Sequence, residues 1–391
     1  MSKISELYTR LGTFSVFNGI FMKTIFKKLR EYVKENKGDE KIKKYGELVN
    51  NLYTHGADLT AYIKRIAFED ANVYVKAVSA KKPINPNIEN AVKHELDILS
   101  EFASLTMADF AADMEYDGFL PSFDSCKIDL YSEYQTRLKS IEKYGYGIFT
   151  ANCMFSVTDT GSVVPVVTAD ETTIADFIGY REERQRVIDN TLSFIEGRSA
   201  SNILLYGDAG TGKSSTVKAV ANHFFDEGLR LVEIRKTQLL LLPKVMAEIS
   251  KNPLKFIIFI DDLSFNQNDD NFSMLKATLE GSASAKAKNA VIYATSNRRH
   301  IIKESFGDRE GNDIHRNDTV QETLSLSERF GLTIRFEKPN KPLYLEIVHE
   351  LASRHGVTMD KNELEIKAEA FALSRGYRSA RCAEQFINSL L

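Results

Sequence analysis

The sequence predicts two regions of different class: a mostly α-helical N-terminal domain, and behind it an α/β domain built on a parallel sheet. Three observations point this way. Apolar residues recur at helical spacing through the first 145 residues. From Ile174 onward, helical stretches alternate with short apolar strands, as in a parallel sheet with crossover helices. Between one such strand and the next helix stands "GDAGTGKSS", residues 207–215, glycine-rich where a strand gives way to a helix.

In the first region, Tyr45, Leu48, Val49, Leu52 and Tyr53 recur on one helical face, as do Leu59, Tyr62, Ile63 and Ile66, and then Leu96, Leu99, Phe102 and Ala103. Breaks are expected at "HGAD" and at "KKPINPN", whose two prolines forbid a continuous helix. Residues 23–44 hold nine Lys/Arg against four Asp/Glu. A basic helix of this kind either touches nucleic acid or anionic lipid, or is a solvated face over an apolar stripe, and the second is the expectation. The β-branched and aromatic runs on both sides of "TDTG" predict a β-hairpin. The expected boundaries are therefore 1–145 for the helical domain, 146–172 for a β-hairpin linker, 173–338 for the α/β domain and 339–391 for a C-terminal helical part. Five strands are expected at 202–206, 231–234, 256–260, 290–294 and 332–336.

Composition is that of an ordinary globular chain of 391 residues, 43% hydrophobic and 27% charged. A net charge of −3 argues against a constitutive coat on DNA or RNA, although a local patch remains compatible with it. The three cysteines, Cys126, Cys153 and Cys382, form no metal-binding spacing and are too few for a disulfide framework, so buried thiols are expected. The uncharged run 11–22 is short of the roughly 20 residues a membrane span needs and lacks a cleavage site, which predicts a cytoplasmic protein.

The segment 207–214 satisfies GxxxxGK[ST] at Gly207, Gly212, Lys213 and Ser214, and it follows a strand and opens a helix as the mechanism requires. Gly207, Asp208, Ala209, Gly210, Thr211 and Gly212 would curl backbone N–H groups around phosphates, with Ser215 continuing the cradle at the helix N-terminus. Lys213 would reach the β- and γ-phosphates and the Ser214 hydroxyl would ligate Mg²⁺. Asp261, 48 residues after Lys213, ends the apolar strand in "FIIFIDD" and is the second expected Mg²⁺ ligand. These residues predict a nucleoside triphosphate site. Asn297 ends the strand of "VIYATSN", where it would lie between the phosphate loop and the Asp261 strand. Arg329, just before the last strand, is placed to stabilise phosphoryl charge, in a neighbouring subunit's site.

With these motifs in order, the region from Asp170 to Leu391 resembles the AAA+ ATPases. More closely, "NILLYGDAGTGKSSTVKAV", "YATSNRRHII" and "SLSERFG" resemble the bacterial AAA+ proteins catalogued as domain of unknown function 815. The resemblance implies an AAA+ P-loop NTPase fold: a parallel five-stranded sheet with helices on both faces, then a helical lid of three helices. It implies ATP and Mg²⁺ as ligands, and homo-oligomeric assembly. "DFIGY" matches the segment that packs on adenine in this superfamily, making Ile178, Gly179 and Tyr180 the implied base contacts. "SRGYRSAR" resembles the lid sensor and points to Arg378, with Arg381 as the alternative.

Most AAA+ proteins place a glutamate after the Mg²⁺ aspartate; here Asp262 stands, its carboxylate one methylene shorter and roughly 1.5 Å further back. A misplacement of about 1 Å can cost on the order of a hundredfold in rate, so Asp262 is expected to be a slow catalytic base. A double aspartate resembles replication initiators and helicase loaders, and "FSMLKATLEGS" resembles clamp loaders. No inserted aromatic–glycine loop of the unfoldase kind is present. The expectation is an ATP-dependent assembly switch whose N-terminal helices carry a protein-partner site. The alternatives are a nucleic-acid loader using residues 23–44 or Arg298 and Arg299, and a non-hydrolysing ATP-stabilised scaffold.

Overall fold

The computed structural model describes residues 2–264, 270–280, 287–297 and 329–391. The chain forms two compact units, Met1–Ala151 with Lys251–Pro253, and Asn152–Ser250 with Leu254–Leu391.

The first unit is helical: α1 (Lys3–Leu11), α2 (Thr24–Lys34), α3 (Gly38–Tyr53), α4 (Leu59–Glu69), α5 (Val73–Ser79), α6 (Pro86–Ala103), α7 (Met107–Met114), α8 (Leu130–Leu138) and α9 (Ile141–Tyr144). The predicted breaks fall at helix ends. Asp58 caps α4 by accepting from the Ala61 N–H, and Asn85 caps α6, whose first residue is Pro86. Leu48, Val49, Leu52, Ile63, Ile66, Leu96, Leu99 and Phe102 are all buried in one core. Within that core Glu95 is 2% exposed, and its carboxylate accepts the backbone N–H groups of Ser15, Val16 and Phe17 at 2.7, 3.0 and 2.8 Å. The loop after α1 thus ends its unsatisfied donors on one buried anion.

The basic stretch behaves as a solvated face. Lys23 pairs with Glu69, Lys28 with Glu47, Lys41 with Asp113, Lys43 with Glu40 and Lys44 with Glu47, while Ile25, Phe26, Leu29 and Tyr32 bury the opposite side of α2.

Among the described residues, the second unit carries a seven-stranded sheet, not a five-stranded one. Its elements are β1 (Met154–Val157), β2 (Val163–Pro165), α10 (Arg181–Ile195), β3 (Ile203–Gly207), α11 (Lys213–His223), β4 (Leu229–Glu233), α12 (Leu242–Ile249), β5 (Lys255–Ile260), α13 (Asp270–Glu280), β6 (Ala290–Ser296) and β7 (Leu332–Phe336). The order across the sheet is β2-β1-β4-β5-β6-β3-β7. The five expected strands are the consecutive parallel strands β4-β5-β6-β3-β7 within it, and β1 beside β4 is a sixth parallel strand. The two extra strands are the hairpin assigned above to a linker. β1 pairs with β2 antiparallel, Phe155 opposite Pro165, and with β4 parallel, Phe155 opposite Val232. The hairpin therefore extends the sheet, because Phe155 needs burial and finds it there, at 0% exposure.

β5 is buried at every residue from Phe256 to Ile260, as a central parallel strand covered on both faces must be. On one face Leu205, Leu231, Ile257, Phe259 and Tyr293 pack with Val187 and Phe194 of α10 and Val217 and Val220 of α11. The chain ends in three helices with their own core, α14 (Lys341–Arg354), α15 (Lys361–Arg375) and α16 (Ala380–Asn388). Ala383, Phe386 and Ile387 are buried there, and Leu390 packs against them half-buried. Among the described residues no helix is long and apolar enough to cross a membrane. Of the cysteines expected to be buried, Cys382 is, Cys153 is half-buried, and Cys126 is exposed.

Candidate functional site

Because β5, β6 and β3 are adjacent and parallel, their C-terminal ends open on one edge of the sheet, where ligands of such sheets bind. The loop 207–212 leaves β3 there. Gly207 has φ +133, and a Cβ on it would lie 2.0 Å from the Phe336 carbonyl oxygen of β7. Only glycine lets the chain turn this close to its neighbour. The turn is tied down by the Asp208 N–H, which donates to that same oxygen at 3.0 Å. The Asp208 carboxylate accepts from the Lys338 N–H, and the Thr211 hydroxyl donates to Asp208 O. Ala209 is exposed at the loop's tip. α11 starts at Lys213 without a side-chain cap, leaving its first N–H groups for another acceptor.

Five predicted residues form one hydrogen-bonded network. The Lys213 ammonium donates to Gly207 O, Asp208 O and Asn297 Oδ1 at 3.1, 2.6 and 3.2 Å. Its side chain is buried, and burial lowers its pKa against the opposing pull of Asp208, Asp261 and Asp262. The Ser214 hydroxyl donates to Asp261 Oδ1 at 2.6 Å. Asn297 Nδ2 donates to Asp262 Oδ1 at 3.0 Å, so one amide bridges the lysine and the second aspartate. Asp262 has φ +50, a left-handed backbone that few non-glycine residues adopt. It is held there by its N–H, which donates to Thr295 Oγ1 at 3.0 Å. Thr295 in turn donates to Asp261 Oδ1.

This donor set fits a polyphosphate and a hard cation. A largely buried ammonium held by neutral oxygens lacks a direct counter-charge, which phosphates would supply. A serine hydroxyl beside one carboxylate is an all-oxygen pair suited to Mg²⁺, which favours one or two carboxylates plus phosphate and water.

Next to the loop lies a cavity of about 430 Å³ reaching from Gly210, Thr211, Gly212 and Ser215 to Ile347 and Leu351 of α14. Of the three residues assigned to the base, Ile178 lines it. Gly179, at φ +68, faces Leu343. Tyr180 does not line the cavity: it is 7% exposed, its ring lies 5.5 Å from that of Phe336, and its hydroxyl donates to Glu337 O. Its left-handed backbone sends the ring into the core, and Phe177 lines the cavity instead.

The two arginines weighed for the lid sensor also separate. Arg378 forks onto Glu369 with bonds of 2.9 and 2.6 Å. Arg381 lines the cavity, and its N–H donates to Gly210 O at 3.4 Å. Arg329 lies half-exposed three residues before β7. Arg298 and Arg299 lie outside the described residues. Thr295 and Phe177 were not foreseen. A hydroxyl two residues before Asn297 was the one available sign of the first, and the position of Phe177 within "DFIGY" of the second.

The family model described as "Protein of unknown function (DUF815)" matches residues 150–391. The chain is 25% identical over 221 residues to "Chaperone protein ClpB 2" of Parasynechococcus marenigrum (strain WH8102), which covers 51% of this chain and 22% of that protein. It is similar to a mutant of RuvB from Thermotoga maritima at 14% identity and a TM-score of 0.39, covering 55% of this chain and 63% of the other. The likeness to the RuvB Holliday junction branch migration motor of the same organism is 15% identity and a TM-score of 0.37, over the same shares.

Proposed function

The chain belongs to the DUF815 family, and from that premise we propose that it is an AAA+ ATPase, binding Mg-ATP and hydrolysing it slowly, across subunit interfaces, as an assembly switch. The observation that carries the proposal is the network in which Lys213, Ser214, Asp261, Asp262 and Asn297 meet at the ends of β3, β5 and β6. Lys213 binds the phosphates, and Ser214 and Asp261 are the residues that would hold Mg²⁺. Mg²⁺, when bound, neutralises phosphate charge.

Asp262 is the group that takes the proton from the attacking water, and Asn297 orients its carboxylate. Support for a slow rate comes from the same contact: Asn297 Nδ2 already occupies Asp262 Oδ1, and the short side chain reaches less far than a glutamate. Arg381 rather than Arg378 takes the lid-sensor role, supported by its place at Gly210 and by the pairing of Arg378 with Glu369. Arg329 serves the neighbouring subunit's site, so ATP favours the assembled state. The helical first unit carries the site for a protein partner, and the protein works in the cytoplasm.

The test is ATPase activity per subunit over a hundredfold range of protein concentration, with Arg329→Ala alongside. Activity that rises with concentration only when Arg329 is present is the expected result. Activity constant with concentration and indifferent to Arg329 overturns hydrolysis across the interface. ATP binding with zero turnover at every concentration replaces the switch with a scaffold.

A further inference from the structure

Arg184, on the first turn of α10, is 6% exposed. Its guanidinium lies 4.8 Å from the centre of the Phe177 ring, and no hydrogen bond or ion pair reaches it among the described residues. Yet it lines the cavity beside the phosphate loop. A guanidinium brings five donors and a charge that no protein pKa removes. Its side chain is otherwise enclosed, so the guanidinium finds acceptors in what enters the cavity. An arginine that only supported the fold would be paired within the unit, as Arg378 is with Glu369 and Arg354 is with the carbonyls of Ala175 and Asp176. Arg184 instead has its guanidinium over an aromatic ring on the wall of the cavity, within reach of what the cavity admits.

Its position says what that is. The Phe177 ring that carries it stands against the last glycine of the phosphate loop: a Cβ on Gly212 would lie 3.7 Å from Phe177 Cε1. The planar fork of arginine matches phosphate oxygens two at a time. Asp176 and Glu384 also line the cavity, but the Asp176 carboxylate accepts from Thr173 and no bond joins either to Arg184, so the arginine's charge is available to a ligand.

We propose that Arg184 is a phosphate-binding residue of this site, a second cation beside Lys213 that donates to oxygens of the bound nucleotide's phosphates. The proposal rests on the nucleotide site assigned above and deepens it. In the ligand-free protein the Arg184 guanidinium faces the cavity with no side-chain acceptor among the described residues, so its removal is not expected to cost the fold.

The test uses the full chain and its Arg184→Gln and Arg184→Lys variants, with ADP and adenosine as ligands. Calorimetry or displacement of a fluorescent ADP analogue measures affinity, and thermal melting is followed with and without ADP. For Arg184→Gln the expected result is ADP affinity lower by on the order of 10- to 100-fold, the scale of lost charge-assisted hydrogen bonds. Adenosine affinity stays unchanged, and the ligand-free melting temperature does not fall. Arg184→Lys retains part of the ADP affinity.

Unchanged ADP affinity in Arg184→Gln, with wild type binding ADP, overturns this proposal alone. Equal losses for ADP and adenosine overturn it too, since Arg184 then reads the nucleoside. A lower ligand-free melting temperature in both variants with an undiminished ADP-induced shift makes Arg184 structural. Absence of ADP binding by wild type overturns the nucleotide site itself.

Discussion

Replacing Gly207 by alanine probes the joint between fold and site, because the residue that frees the phosphate loop also lies against the last strand. A methyl group there meets Phe336 O at 2.0 Å and Phe336 C at 2.8 Å, both backbone atoms of a paired strand. Ordinary contact is about 3.5 Å, so β3 and β7 must part by roughly 1.5 Å at this point. That movement breaks the bond from the Asp208 N–H to Phe336 O, worth about 1 kcal/mol net and more if the groups stay buried. A non-glycine residue at a sparsely populated φ costs a further 1–3 kcal/mol or so. Together these come to about 2–4 kcal/mol, a shift of roughly 5–15 °C for a unit of this size.

Gly197→Ala is the control: φ is +75 but nothing lies within 4 Å of the added methyl, so only the backbone cost applies, about 1 kcal/mol. Scanning calorimetry of the two variants separates the terms. If Gly207→Ala melts within 2–3 °C or so of Gly197→Ala, the close approach of the phosphate loop to β7 is not what requires glycine.

Asp262→Asn retains ATP binding and lowers turnover on the order of a hundredfold or more, measured by phosphate release; unchanged turnover removes Asp262 from the chemistry. Glu95→Ala leaves three backbone N–H groups without their shared acceptor, so urea denaturation should show a loss of about 3 kcal/mol or more; a loss under about 1 kcal/mol contradicts the anchoring role. The forked bonds from Arg10 hold the Glu101 carboxyl below the usual glutamate range. The stability it contributes is therefore present above the unfolded glutamate pKa and is lost as the pH falls through the lower folded value. Arg10→Met should flatten that part of the acid limb, and a limb of unchanged slope contradicts the assignment.

Local chemistry was legible in the sequence where one short segment fixes it. The phosphate loop, the strand ending in Asp261 and the strand ending in Asn297 each announce themselves within ten residues, and their meeting follows from parallel strands that end on one edge. Helix breaks were legible for the same reason, since Asp58 and Pro86 act on their own first turn. What was not legible depends on distance or direction. β1 joins β4 across more than 70 residues, and nothing in "CMFSV" names that partner. The direction of Tyr180 follows from a left-handed backbone at two consecutive residues, which sends the ring into the core and leaves Phe177 at the cavity. Arg378 and Arg381 are one helical turn apart and equally arginine. Only the position of Glu369, nine residues earlier on α15, draws one of them away.

Calorimetric binding of ATP, with and without Mg²⁺, to the wild-type chain and to Lys213→Ala tests the nucleotide site itself. Wild type should bind ATP more tightly with Mg²⁺, and affinity should fall about tenfold or more when the ammonium is removed from its place between Gly207 O, Asp208 O and Asn297 Oδ1. No binding by the folded wild type, or binding indifferent to Lys213, would contradict it.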